Sequence, residues 1–308
     1  MIGIEAIASY IPAARVDNLA RAAAAGKDAE FIREKIGFVS LARKAPGEET
    51  SDLCVKAFAR LVEKTGLAPA AIDCLVVCTQ NPDAAGLPHT SAIVHGKLGL
   101  GRAVAAFDLS LGCSGYVYSL SVVEAFMQRH GFKCGVIFTA DPYSKVLDPS
   151  DYDTELLFGD AATVTLISER PVFRSLNSVF SSNGAMGHSI AVQADSGTLR
   201  MLGSNVFKFS MTEVPAQVRQ CLEKNAMNLA DIDLFLFHQG SKFMVENLAQ
   251  RLGIDPARAP FLAAEIGNTV SSTIPLMLEQ YLASAARNIL ICGFGVGLSW
   301  GSSVLQRV

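Results

Sequence analysis

Short apolar runs rich in Val and Ile alternate along the chain with longer stretches in which apolar residues recur every three or four positions. The first pattern has the length of buried strands and the second the period of amphipathic helices, so together they predict parallel strands covered by helices. Strands are expected at Ile2–Ser9, Cys74–Thr79, Val104–Asp108, Gly135–Ala140, Ala162–Ser168, Ile232–His238, Asn288–Phe294 and Leu298–Leu305. Helices are expected at Ser51–Thr65, Ser114–Arg129, Val206–Asn225, Ser241–Leu252 and Ser272–Ala283. On the first helix Leu53, Ala57, Phe58, Leu61 and Val62 share one face and Lys56, Arg60 and Lys64 another, with Thr50 or Ser51 as N-cap. The pattern breaks at Glu169–Pro171 and restarts, dividing the chain into halves at 1–170 and 171–308 with no low-complexity linker. Element order repeats between the halves, and Asp108–Leu120 corresponds to Glu265–Leu278, so the halves read as versions of one unit on order alone.

At 308 residues, with 50% apolar and 18% charged positions, the chain is long enough for one large α/β domain or two fused ones. A net charge of −3, with no more than two basic residues adjacent, lacks the footprint of sequence-independent nucleic-acid binding. No apolar stretch reaches the roughly 18 residues of a membrane span and no basic segment precedes the first apolar run, which predicts a soluble cytoplasmic protein. Seven cysteines, mostly inside apolar runs, imply no disulfide framework. Cys74 and Cys78 share a strand face without a partner pair at zinc-site spacing, so neither a metal nor another cofactor is implied.

Candidate chemistry begins at Ala105-Ala106-Phe107-Asp108-Leu109-Ser110-Leu111-Gly112-Cys113-Ser114-Gly115-Tyr116, where a strand turns into a helix beginning near Cys113. Free N–H groups and the helix dipole favour thiolate there, so Cys113 reads as a nucleophile with a depressed pKa. Gly112, Ser114 and Gly115 leave room for a substrate, whereas a cysteine used only for packing would favour bulky neighbours. His238 ends a strand in Phe237-His238-Gln239-Gly240-Ser241, at the position where α/β proteins place ligands. Gly267-Asn268-Thr269 precedes another helix and is equally compatible with turn and capping chemistry. The hairpin Gly293-Phe294-Gly295-Val296-Gly297 has neither the lysine nor the helix of a phosphate loop, which leaves close backbone approach as the use of its glycines.

These segments, in this order and with Phe158-Gly159-Asp160-Ala161-Ala162, resemble the ketoacyl-ACP synthase III family of the thiolase superfamily over essentially the whole chain. The resemblance implies a thiolase-like five-layered αβαβα fold from two duplicated halves, usually a homodimer, with Cys113, His238 and Asn268 as catalytic triad. It further implies a ping-pong decarboxylative Claisen condensation of an acyl thioester with a malonyl-type thioester. Cys113 carries the acyl group, and His238 and Asn268 bind the enolate oxygen. The backbone N–H groups of Cys113 and Val296 form the oxyanion hole. Acyl carrier protein or CoA delivers the thioesters, no cofactor is needed, and Phe207 joins the substrate-binding set.

Departures from the family pattern are informative. The Trp and Arg that sandwich the CoA adenine fall on Phe31 and Tyr152, the basic carrier-docking residue on Phe243 beside Lys242, and the Asn after the His-Gln motif on Ser241. The chain is also shorter between Ala185 and Gly203 and before Arg287, so the resemblance points to a specialised fatty acid or polyketide-type pathway. Leu87, in Gly86-Leu87-Pro88-His89-Thr90, aligns with the loop that caps the acyl pocket of the second subunit. The alternatives are transfer of the acyl group to an alcohol or amine without decarboxylation, a biosynthetic thiolase, and an inactive partner subunit. Gly293 stands where a thiolase needs a second cysteine, and a complete Cys-His-Asn set argues against the inactive subunit.

Overall fold

The computed structural model describes residues 1–308. Ten strands carry the architecture: β1 (Gly3–Tyr10), β2 (Cys74–Cys78), β3 (Ala105–Leu109), β4 (Cys134–Ala140), β5 (Ala162–Ser168), β6 (Phe173–Ser175), β7 (Val179–Ser182), β8 (Leu234–Phe237), β9 (Asn288–Gly295) and β10 (Ser299–Arg307). The first five lie in the order β3-β2-β4-β5-β1, with β2 parallel to β3 and β4 and β5 antiparallel to β4 and β1. In the second set β8 runs parallel to β9, β9 antiparallel to β10, and both β6 and β7 antiparallel to β10. The two sets share pairing senses and join through the single pair Ile4 and Phe173.

Six helices cover these strands: α1 (Thr50–Thr65), α2 (Thr90–Lys97), α3 (Gly115–His130), α4 (Gly203–Lys224), α5 (Lys242–Leu252) and α6 (Thr273–Tyr281). Successive strand residues point to opposite faces, so a strand buried on both sides must be apolar throughout. On β2, Val76 packs inward with Tyr116 and Leu120 of α3 and Ile274 and Leu278 of α6, while Leu75 and Val77 pack outward with Leu53 and Phe58 of α1. Leu236 and Ile291 of the second set reach the same inner core. Phe235, Phe237 and Leu290 instead face Val214, Val218, Val245 and Leu248 of α4 and α5. The result is five layers, with α3 and α6 forming the middle one.

The expected strands and helices are present with ends shifted by at most three residues, but the expectation of parallel strands holds only for β2, β3 and β4 and for β8 and β9, since β1, β5, β6, β7 and β10 pair antiparallel. α1 is capped by Glu49, and not by Thr50 or Ser51. The Glu49 N–H donates to Asp52 at 2.9 Å, and the Ser51 N–H donates to the buried Asp83 at 2.9 Å. Periodicity missed α2, the short strands β6 and β7, two small antiparallel pairs (Ala14–Asp17 with Ser40–Arg43, Ile190–Val192 with Leu199–Met201) and the short helical segment Ala29–Phe31 that runs into Ile32–Ile36. Segments of three to eight residues show too few turns or alternations to reveal a period. No helix is long and apolar enough to cross a membrane.

Candidate active site

A cavity of about 440 Å³ is lined by residues of both halves of the chain, Cys113, His238 and Asn268 among them. Cys113 follows β3 and precedes α3, so the turn fixes the thiol at the bottom of the cavity. The Gly115 N–H donates to the Gly112 carbonyl at 2.8 Å, and Ser114 shares a hydroxyl bond with Ser299 at 2.7 Å. The β9–β10 hairpin closes over the thiol. A Cβ on Gly295 would lie 2.7 Å from Cys113 Sγ, and one on Gly293 would lie 2.5 Å from the Cys113 carbonyl oxygen, so both contacts require glycine. This approach brings the Val296 N–H to the sulfur, beside the N–H of Cys113 itself.

The expected depression of the Cys113 pKa is not found. Burial pushes the thiol up to about 12, the Asp141 carboxylate adds to the rise, and the N–H groups of Val296 and Cys113 only partly oppose it. α3 begins at Gly115, two residues beyond the sulfur, so its dipole does not outweigh desolvation at a residue 7% exposed. Asp141 is itself fully buried and pushed up to about 6, although Ser271, the Gln80 N–H and Thr79 donate to it.

His238 sits just past the end of β8, its N–H donating to the Cys292 carbonyl at 2.8 Å and its ring edge-on to Phe294. Burial lowers its pKa to about 3, partly opposed by the Val270 carbonyl, so thiol and imidazole are both neutral at pH 7. Nδ1 lies 2.8 Å from the Thr273 hydroxyl, which also reaches the Val270 carbonyl at 3.1 Å. That hydroxyl has one proton. Directed at Nδ1 it leaves the imidazole proton on Nε2; directed at Val270 it accepts Nδ1–H and leaves Nε2 as an acceptor.

Asn268 is held by its backbone, which bonds Leu157 at 2.8 Å and Gly159 at 3.0 Å. A Cβ on Gly159 would lie 1.9 Å from the Ile266 carbonyl, which explains a glycine in that turn. The Val270 N–H donates to Asn268 Oδ1 at 2.9 Å, leaving the amide NH₂ for the cavity. Val270 therefore orients both polar side chains, and it does so at a φ of 55°, an uncommon backbone for a β-branched residue.

Five further expected residues line the cavity: Phe31, Tyr152, Phe207, Ser241 and Phe243. Phe207 stacks on Phe243 at 5.4 Å, Lys35 lies over Phe243 at 4.3 Å, and Lys27 over Phe31 at 4.9 Å. Lys242 is engaged by Glu34 at 2.6 Å and Lys145 by Glu49, which leaves Lys27 and Lys35 as the cations at the mouth. Leu87 lies outside this cavity on a loop, 86% exposed. Sequence reasoning missed Thr273 and Val270, whose roles run through backbone and second-partner contacts, and it missed Tyr143, which follows β4 in a turn without a motif.

The duplicated five-layer fold is that of thiolase-fold acyltransferases. Residues 107–184 match the family model for 3-oxoacyl-[acyl-carrier-protein (ACP)] synthase III, and residues 222–307 match that of its C-terminal part. The chain is 32% identical to a beta-ketoacyl-[acyl-carrier-protein] synthase III of Streptococcus pneumoniae over 98% of both chains. Its structure is similar to a 3-oxoacyl-(acyl-carrier-protein) synthase III crystal structure (TM-score 0.93, 31% identity, 99% of both chains). It is also similar to the priming beta-ketosynthase of the R1128 polyketide pathway (TM-score 0.88, 25% identity, 100% of this chain and 96% of that one). The chain belongs to the beta-ketoacyl-[acyl-carrier-protein] synthase III family.

Proposed function

We propose that this chain performs decarboxylative Claisen condensation through an acyl group on Cys113. In the first half-reaction Sγ attacks the acyl thioester carbonyl, the carbon–sulfur bond to the donor breaks, and the thiol proton ends on the departing thiolate. A malonyl-type thioester then enters. His238 Nε2–H and the Asn268 amide donate to its thioester oxygen, so that CO₂ leaves and the electron pair is held as an enolate. The enolate carbon attacks acyl-Cys113 while the N–H groups of Cys113 and Val296 hold the second oxyanion. Collapse yields a β-keto thioester and a thiolate, which takes a proton from solvent.

The observation that carries this reading is the convergence of Cys113, His238 and Asn268 on one mostly apolar cavity. The test is intact-protein mass spectrometry with a thioester panel, paired with CO₂ release from malonyl thioester. Cys113→Ala should gain no acyl mass, while His238→Ala and Asn268→Ala should acylate yet fail to decarboxylate. An acyl mass on Cys113→Ala, or equal loss of acylation in the other two, refutes these assignments. CO₂ release also separates condensation from transfer to an alcohol or amine.

Phe31 and Tyr152 offer an adenine neutral stacking in place of the Trp–Arg sandwich, so an acyl carrier protein or other pantetheine donor is the favoured source in at least one half-reaction. We place the chain in a homodimer in which Leu87 of one copy caps the acyl pocket of the other, with the division near residue 170 separating the nucleophile half from the half bearing His238 and Asn268.

A further inference from the structure

Within the cavity one wall does not match a plain alkyl chain. Leu157, Phe158, Ile190, Met201 and Val206 are apolar, but Tyr143 stands among them, its ring packed on Phe158 at 4.8 Å and the residue only 4% exposed. Its hydroxyl has one protein partner, Gln80 Oε1, at 3.5 Å. O–H···O bonds normally close to about 2.7–2.8 Å, so this donor is close to unpartnered in a place where water is scarce. Gln80 itself rests on the nucleophile turn, its Oε1 2.6 Å from where a Gly112 Cβ would stand, so the phenol, which lines the same cavity as Cys113, lies beside that turn. Burial, with the nearby Asp141 carboxylate adding to it, pushes the phenol above its ordinary range, so it stays a donor throughout the cycle.

We propose that Tyr143 selects acyl groups bearing a hydrogen-bond-accepting oxygen on the first carbons beyond the thioester, as in hydroxyacyl or oxoacyl chains. This rests on the reading of Cys113 as the acylated residue and names the substrate class of that site. A buried donor left unpaired by a plain alkyl chain discriminates against that chain more strongly than a missing methylene would.

Competition in one tube reads the ratio of kcat/KM values. The full-length enzyme is offered equal butanoyl and 3-hydroxybutanoyl N-acetylcysteamine thioesters, then butanoyl and 3-oxobutanoyl, and the adducts on Cys113 are separated by mass. At least one oxygenated adduct should dominate by about ten-fold or more, and Tyr143→Phe should bring that ratio to unity or below. Butanoyl matching or exceeding both rivals in the wild type, or an unchanged ratio in Tyr143→Phe, overturns the proposal. No adduct from any thioester instead refutes the acyl-enzyme reading, and the selectivity falls with it.

Discussion

The buried thiol makes a prediction about reactivity that differs sharply from that of a helix-activated cysteine. With its pKa pushed up to about 12 and His238 lowered to about 3, Cys113 holds no thiolate–imidazolium pair at neutral pH. A free cysteine of pKa about 8.5 is roughly 3% thiolate at pH 7, against about 10⁻⁵ for a thiol at 12, a deficit of some three thousand-fold. Greater basicity raises the intrinsic reactivity of the thiolate by about forty-fold at a Brønsted slope of 0.4–0.5, so alkylation should run about a hundred-fold slower than for free cysteine. Iodoacetamide labelling, followed on the Cys113 peptide by mass spectrometry, should rise about ten-fold per pH unit from pH 6 to beyond 9. A plateau below pH 8 would show a stabilised thiolate and refute the claim that desolvation outweighs the dipole of α3. The six other cysteines, read on their own peptides, report any unfolding at high pH.

Other expectations follow from single contacts. Thr273→Val leaves the Val270 carbonyl as the remaining partner of Nδ1–H and strips Nε2 of its proton, so decarboxylation should drop about 10²-fold, as for loss of one oxyanion donor, with acylation within a few-fold; Thr273→Ser should restore it. Gly295→Ala places a methyl 2.7 Å from Sγ and should cut acylation at least ten-fold while costing about 1–3 kcal/mol of stability by overpacking, read by mass spectrometry and thermal melts. Because His238 is neutral in the fold down to about 3, the unfolded chain alone takes its proton between pH 6.5 and 3, so this residue makes stability fall with falling pH by up to about 1.4 kcal/mol per unit. Asp141, raised to about 6, acts oppositely between pH 6 and 3.8, so denaturant titrations of wild type against His238→Gln isolate the histidine, and identical acid profiles would sink the assignment. Sedimentation should find a dimer at working concentrations, and a strictly monomeric active species would remove Leu87 from any second site.

The strands were legible because burial on both faces forces runs such as Leu75-Val76-Val77 to be apolar, and the long helices because α1 keeps Leu53, Ala57, Phe58 and Leu61 on one face. Cys113, His238 and Asn268 were legible only as motifs, since nothing in local patterning brings residues 125 and 30 positions apart into one cavity. The pKa of Cys113 was not legible at all. Its helix position was read correctly within two residues, but the sign of the shift is set by burial under Gly293, Gly295 and Val296, which are far away in the chain.

The repeat explains how such a site is assembled. α3 and α6 occupy the same central layer, and the loops leading into them carry Cys113 in one half and Asn268 in the other. Each loop ends near a helix N-terminus, where N–H groups lack intrahelical partners and negative charge is favoured. In the cycle proposed above both half-reactions would develop an oxyanion, first on the acyl carbonyl at Cys113 and then on the enolate held by Asn268 and His238. A duplicated unit thus supplies two anion-stabilising positions facing one cavity, and divergence need only place a thiol at one and an amide at the other. The remaining adjustment is in backbone: glycine at 293 and 295 lets the hairpin close on the thiol, and the left-handed Val270 turns its N–H to Asn268 and its carbonyl toward His238. Because that orientation comes from main-chain groups, it is fixed before substrate arrives, which is what stabilising a developing charge requires.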